Sequence, residues 1–151
     1  MKYVIFSIFA LFILFINLLM INDFYLFDTT IFTLPPNIYK YCSIIIYFIT
    51  IIPIFIILKN NYYSLSTLDK KFKNIIIVNI LLYTLYNIFT FKLISPFLSF
   101  AIKTFQFVSS LYLNEEIIFQ NKTSAKLLSP YILWCFYLTL ISISNFFLNN
   151  S

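Results

Sequence analysis

Residues able to do chemistry are sparse in this sequence, and they form no familiar catalytic group. The chain of 151 residues has no His, no Gly, two Cys and five acidic residues. Cys42 and Cys135 lie far apart inside apolar segments, so they predict buried thiols and not a zinc site or a disulfide framework. The adjacent Glu115 and Glu116 would point about 100° apart on a helix, which favours a solvated loop. The sequence therefore predicts no metal site and no catalytic residue, and it favours a binding protein over an enzyme.

One charged side chain falls inside an apolar segment. Lys103 lies about midway along residues 94–113, where a cation costs at least about 2.5 kcal/mol unless it finds a partner or reaches the membrane interface. No acidic residue occurs in the apolar segments. We therefore expect a carbonyl, a Tyr hydroxyl, water or an anionic ligand as the companion of Lys103.

The elements that must position these residues are long apolar segments. Apolar residues make up 62% of the chain and charged residues only 10%, a balance that suits a lipid solvent and not a small soluble core. About 20 apolar residues span the hydrocarbon core. Five segments approach that length, at about 3–21, 37–58, 74–91, 94–113 and 125–148. The predicted fold is an all-α, single-domain bundle of five transmembrane helices over residues 1–151.

The lysines outside the apolar segments predict the orientation of this bundle. Seven lie on the side of the N-terminus and of the loops 59–73 and 114–126, whereas only Lys40 and Lys92 lie on the other side. This bias predicts an N-terminus inside and a C-terminus outside. It also accounts for the net charge of +5, so we expect membrane lipid and no nucleic acid as a partner.

Four of the predicted spans carry polar and aromatic residues on one helical face. Such a face points to the interior of a membrane bundle. The stripes are Ser43, Tyr47 and Thr50; Asn79, Tyr83, Tyr86 and Asn87; Ser99, Lys103, Gln106 and Ser110; and Tyr131, Trp134, Ser142 and Asn145. They indicate either interhelical hydrogen bonds, worth roughly 0.6 kcal/mol each, or a ligand cavity. The first span has no stripe, which predicts that it faces lipid most fully.

The fifth segment carries the most specific motif. Residues 125–134 read AKLLSPYILW, which resembles the Ala-x-Leu-Leu-x-Pro-Tyr-x-x-Trp of the TspO/MBR family. These are the tryptophan-rich sensory proteins related to the mitochondrial translocator protein and peripheral benzodiazepine receptor. Phe24-Tyr25 followed by Pro35-Pro36, and the stripe from Asn79 to Asn87, resemble two further family motifs. The resemblance covers nearly the whole chain and implies five membrane helices and a homodimer.

The resemblance also implies a site. It would be a pocket between helices for a porphyrin, such as protoporphyrin IX or a haem-like molecule, or for another flat hydrophobic ligand, with no cofactor required. Matching positions give Ile44, Phe48, Tyr83, Asn87, Trp134 and Leu138 as its lining, and the polar face of the fourth span adds Gln106. Trp134 would stack on the ligand, Tyr83 and Asn87 would supply hydrogen bonds, and residues 23–36 would cap the opening.

The chain departs from the family in its tryptophans. Trp134 is its only one, and the family's second-helix Trp falls on Ile44. Some bacterial members degrade protoporphyrin in light, which is thought to use both tryptophans. Tyr and Phe still offer flat faces, so we expect binding more than photochemistry.

Three hypotheses follow from these observations. The first is a ligand-binding protein with a transport or sensory role. The second is a light-dependent porphyrin-degrading enzyme, and the third is an accessory subunit whose polar stripes face a partner protein. A bacterial host implies the plasma membrane, whereas a eukaryotic host implies a mitochondrial membrane.

Overall fold

A computed structural model describes residues 35–60, 70–93 and 95–149, together with Phe12, Ile13, Phe15, Ile16 and Leu19. The three described ranges form four helices: α1 (Pro36–Asn60), α2 (Lys70–Phe91), α3 (Pro96–Gln120) and α4 (Lys122–Asn149). The five residues near the N-terminus are also helical. The described part of the chain is thus all-α, as predicted, with four helices. The rest of the first predicted span and the predicted cap at 23–34 lie outside the described residues.

Three of these helices have the length and composition of membrane spans. They are Ile38–Ile57 within α1, Lys71–Phe91 within α2 and Lys122–Asn149, which is the whole of α4, with mean hydropathies of 2.2, 1.6 and 1.7. Helix α3 is the most polar, since it contains Lys103, Gln106 and the Glu115–Glu116 pair. Large apolar side chains are exposed on the outer faces of the helices, among them Leu81, Phe105 and Leu133. Such outer faces suit contact with lipid.

The helix starts follow local chemistry. Helix α1 begins at Pro36, as the double proline predicted, because a proline is tolerated in the first turn where its missing N–H is not needed. Helix α2 begins at Lys70, earlier than the predicted residue 74. Phe72 is fully buried and Lys71 pairs with Glu116 of α3, so tertiary contacts extend the helix into the lysine-rich segment.

The prediction of a solvated loop around Glu115 and Glu116 is wrong. Helix α3 continues through both residues to Gln120. Leu113 and Ile117 lie one helical turn apart and are only 1% and 0% exposed. Their burial against the neighbouring helices holds the segment helical, because tertiary packing overrides the loop signal of two adjacent charges.

A single residue, Asn121, joins α3 to α4. Its backbone N–H donates to the carbonyl of Ile117 at 2.8 Å and so closes the last turn of α3. Its side-chain Oδ1 accepts hydrogen bonds from the N–H groups of Thr123 at 2.9 Å and Ser124 at 3.1 Å. Asn121 is therefore the N-cap of α4, and the predicted loop at 114–126 shrinks to one residue.

Neighbouring helices pack in the order α1, α4, α3 and α2. Helix α3 lies against both α2 and α4, and α1 lies against α4, with the most extensive contact between α3 and α4. One buried cluster is mostly aliphatic: Ile54, Ile57, Phe72, Ile76, Leu113, Ile117, Ala125, Leu128, Tyr131 and Cys135. The other is rich in aromatic residues: Tyr39, Tyr86, Phe91, Trp134, Leu138 and Ile141. Together they place Trp134 and Tyr131, neighbours on α4, in two different environments.

Candidate functional site

The polar stripes predicted from the sequence face the bundle interior. In α3, Lys103, Gln106 and Ser110 are fully buried, and Ser99 is nearly so. In α2, Asn79, Tyr86 and Asn87 are buried and Tyr83 is half-buried. Since the outer faces of the same helices expose large apolar side chains, the inward direction of the stripes is confirmed.

A chain of hydrogen bonds connects three helices through these stripes. The Lys103 ammonium donates to Gln106 Oε1 at 2.8 Å, and Gln106 Nε2 donates to the hydroxyl of Tyr131 at 3.0 Å. That hydroxyl donates to Asn79 Oδ1 at 3.0 Å, and Asn79 Nδ2 donates to Ser109 Oγ at 2.8 Å. Every donor along this polar network points away from the cation, an arrangement in which each bond polarises the next.

Lys103 lies at the buried end of the polar network. Its side chain is 0% exposed. Its Nζ lies 4.4 Å from the ring centroid of Tyr86 and 5.9 Å from that of Tyr83, within range of cation–π attraction. The partner of the cation is thus a side-chain carbonyl and two aromatic rings. The sequence anticipated a carbonyl but not the rings.

A cavity of about 60 Å³ lies beside the polar network, between α1, α2 and α4. Its polar lining consists of Ser43, Tyr47, Thr50, Asn79, Tyr83 and Tyr131, and its apolar lining includes Ile13, Ile46, Ile80 and Trp134. Asn79 and Tyr131 belong to both the cavity wall and the polar network. The stripe on α1 therefore lines a cavity and the stripe on α3 forms hydrogen bonds, whereas the stripe on α2 does both.

Aromatic rings surround one end of this cavity. The ring of Trp134 lies 5.6 Å from that of Tyr39 and 5.4 Å from that of Tyr137, measured between centroids. Tyr47 and Tyr83 face each other across α1 and α2 at 6.0 Å. Trp134 is 9% exposed, so its ring is packed inside the bundle. Flat faces thus line a narrow space.

An outer groove adjoins the same tryptophan. Ile46, Pro130, Leu133, Trp134 and Tyr137 line an open groove of about 420 Å³ on the surface between α1 and α4. Ile46 and Trp134 line both the cavity and the outer groove. The two spaces are therefore separated by little more than these two side chains.

Comparison with known protein families matches this chain over nearly its whole length. The model of the TspO/MBR family covers residues 6–148 of the 151. The chain belongs to the TspO/MBR family. None of the curated proteins compared with it matches. Together with three helices able to span a membrane, membership identifies an integral membrane protein.

Two of the positions carried over from the TspO/MBR family line the cavity, namely Tyr83 and Trp134. Leu138 is buried beside Trp134 in the aromatic cluster. Ile44 is half-buried and Phe48 is 46% exposed, and neither lines the cavity. On α1 that place is taken by the adjacent residues Ser43 and Tyr47.

The two polar residues proposed for the site lie deeper. Gln106 is the link between Lys103 and Tyr131 in the polar network. Asn87 is fully buried in α2, one turn beyond Tyr83. Neither lines the cavity, so within the described residues both lie behind its wall.

Tyr39 is a site residue that the sequence reasoning missed. It is 4% exposed, and its ring packs against that of Trp134 at a tilt of 39°. It lies four residues before Ser43, so it extends the predicted stripe of α1 by one turn. The signal was the same spacing that identified the rest of the stripe. Within residues 35–60, 70–93 and 95–149, no group of three or more His, Cys, Asp or Glu side chains could hold a metal.

Proposed function

We propose that this TspO/MBR protein binds a porphyrin or another flat hydrophobic ligand between α1, α2 and α4. Trp134 is the side chain on which the ligand would stack, with Tyr83 as a hydrogen-bonding wall. Transport or sensing would be the role of such binding. The orientation with the N-terminus inside, the homodimer, and a bacterial plasma or mitochondrial membrane belong to the same proposal.

The observation that carries this proposal is the position of Trp134. Its ring is buried between Tyr39 and Tyr137 and forms part of the wall of both the internal cavity and the outer groove. Aromatic faces at spacings of 5–6 Å favour offset and tilted stacking. A flat ligand that replaced one of these ring contacts would keep the same type of interaction.

The size of the cavity sets a condition on binding. At about 60 Å³ it is well below the roughly 300–1,000 Å³ of pockets for drug-sized ligands. The outer groove supplies about 420 Å³ more beside Trp134. Ligand binding would therefore join the two spaces by displacing Ile46 and α1, whose contacts are with α4 and not extensively with α2 among the described residues.

The direct test is a titration of detergent-purified protein with protoporphyrin IX. Because Trp134 is the only tryptophan, the tryptophan fluorescence that is followed comes from this side chain alone. We expect saturable binding in the micromolar range. Trp134→Phe, followed by porphyrin absorbance, should weaken it roughly three- to tenfold, since a smaller face remains. Tyr112→Phe on the exposed face of α3 is the control and should leave affinity unchanged.

Binding no greater than that of empty micelles would contradict the proposal. The accessory-subunit hypothesis would then apply, and the small cavity volume is the observation that favours it. In that case a specific protein should co-purify, and mutations in the polar stripes should release it. Light-dependent degradation of the porphyrin requires a separate measurement, because Ile44 stands where the family has the Trp of its second membrane helix. Degradation by the wild type that disappears in Trp134→Phe would establish that activity.

A further inference from the structure

Lys103 is a buried cation without a complete set of partners. An ammonium group has three donors. One of them is used by Gln106 Oε1 at 2.8 Å. The rings of Tyr86 and Tyr83 also lie next to Nζ, and the Cys135 thiol interacts with it electrostatically. In the described part of the chain, no carboxylate pairs with it. Glu115 lies twelve residues along the same helix, about 18 Å away.

The groups packed around Lys103 from the other helices are uncharged. Tyr83 and Tyr86 approach from α2, and Thr139 of α4 donates to the backbone carbonyl of Lys103 at 3.4 Å. An unpaired charge in such surroundings carries a large desolvation cost. An anion placed within hydrogen-bonding distance would offset that cost more effectively than any neutral group.

Tyr83 connects this cation to the cavity. Its side chain lines the cavity wall, and its ring lies 5.9 Å from Lys103 Nζ. The ring of Tyr83 is therefore the layer that separates the ammonium from the empty space. A ligand that displaced this one ring would bring its own polar group to Lys103.

The geometry points to Lys103 as an internal receptor for an acidic group, specifically a carboxylate carried by the hydrophobic ligand of the cavity. This inference rests on the proposed function and deepens it, because it specifies the ligand class as a flat hydrophobic acid and not a neutral molecule. Trp134 binds the apolar face, and Lys103 with Gln106 binds the carboxylate. Tyr83 moves aside between them.

A purely structural role makes a different prediction. If Lys103 only completes the polar network, its removal changes stability and affects acidic and neutral ligands alike. If it binds a carboxylate, its removal affects the acid alone. A pair of ligands that differ only in charge separates the two roles.

The experiment compares protoporphyrin IX, which has two carboxylates, with its uncharged dimethyl ester, in detergent-purified full chains. We expect the wild type to bind the acid roughly tenfold or more tightly than the ester, in the range seen when a buried charge gains a partner. Lys103→Met should remove this preference by weakening acid binding, with ester affinity unchanged. Lys126→Met, at an exposed position on α4, is the matched control and should keep it, as should Lys103→Arg, which retains the charge.

Each outcome decides the inference. An equal acid-to-ester ratio in wild type and Lys103→Met overturns it, and so does a wild type without preference. Equal weakening of both ligands in Lys103→Met also overturns it, since the side chain would then support the fold and not read the carboxylate. Failure of the wild type to bind either porphyrin is the separate failure of the proposed function.

Discussion

The two sides of α4 differ in how they use polar residues. Towards α2 and α3, the polar network runs from Lys103 to Ser109 through hydrogen bonds of 2.8–3.0 Å. Towards α1, the polar residues Ser43, Tyr47 and Thr50 surround a cavity instead. Thr50 donates to its own backbone, at the carbonyl of Ile46. The same kind of stripe thus forms interhelical hydrogen bonds on one side of α4 and lines a cavity on the other.

Hydrogen bonds dominate where α3 meets its neighbours, and an open cavity lies where α1 faces α2. Interhelical hydrogen bonds require close backbones, and α3 has extensive contact with both α2 and α4. Where the backbones of α1 and α2 stay apart, the polar stripes meet through large rings such as those of Tyr47 and Tyr83. The spacing of helices, and not residue type, decides which role a polar face has.

The largest effect should come from breaking the polar network at Gln106. Gln106→Met keeps the volume but removes the acceptor of Lys103, and should lower stability by about 2 kcal/mol, as expected for a lost hydrogen bond to a charged group. Reversible unfolding in detergent measures the change. The double variant Lys103→Met/Gln106→Met should recover most of the loss. If Gln106→Met lowers stability equally in the wild type and in Lys103→Met, the cation does not depend on Gln106.

Filling the cavity should raise the stability of the protein instead of lowering it. Thr50→Leu extends an apolar side chain into about 60 Å³ of empty space and should raise stability by up to about 1 kcal/mol, while it weakens protoporphyrin IX binding. Thr104→Leu is the matched control, because Thr104 makes the same backbone hydrogen bond, to Phe100 at 2.9 Å, away from the cavity. Similar losses of affinity in both variants would argue against this cavity as the site.

The smallest effect should come from the ion pair between Lys71 and Glu116. Lys71 is 63% exposed and Glu116 is 17% exposed, so solvent and salt screen their attraction. A double-mutant cycle with Lys71→Met and Glu116→Gln should give a coupling below about 1 kcal/mol that falls with ionic strength. A larger, salt-independent coupling would mean that this surface pair, and not the polar network, holds α2 to α3.

The sequence predicts which side chains face the bundle interior better than it predicts the distances between helices. Ser99, Lys103, Gln106 and Ser110 recur at helical spacing, and a polar residue in a membrane helix must face inward, so their burial follows from the pattern. The cavity does not follow, because its position depends on how far α1 stands from α2. Periodicity along one helix contains no information on that distance.

A shift of one residue explains the difference on α1. The resemblance implies Ile44 and Phe48 as pocket residues, whereas Ser43 and Tyr47 line the cavity. One residue turns a helix by about 100°, which moves a side chain from the cavity to the outer face. The stripe of Ser43, Tyr47 and Thr50 marks the face of α1 that lines the cavity. For the position of the cavity, local periodicity is thus a better guide than matched family positions.

The one-residue junction at Asn121 bears on how α3 would enter a bilayer. A helix with Lys103 and Gln106 at its centre is a poor candidate to insert alone. With α4 joined directly behind it, closing the hairpin costs little chain entropy, and Tyr131 and Thr139 come to cover those polar groups at once. We therefore expect α3 and α4 to insert as one hairpin, in which the polar groups of α3 are already covered by α4.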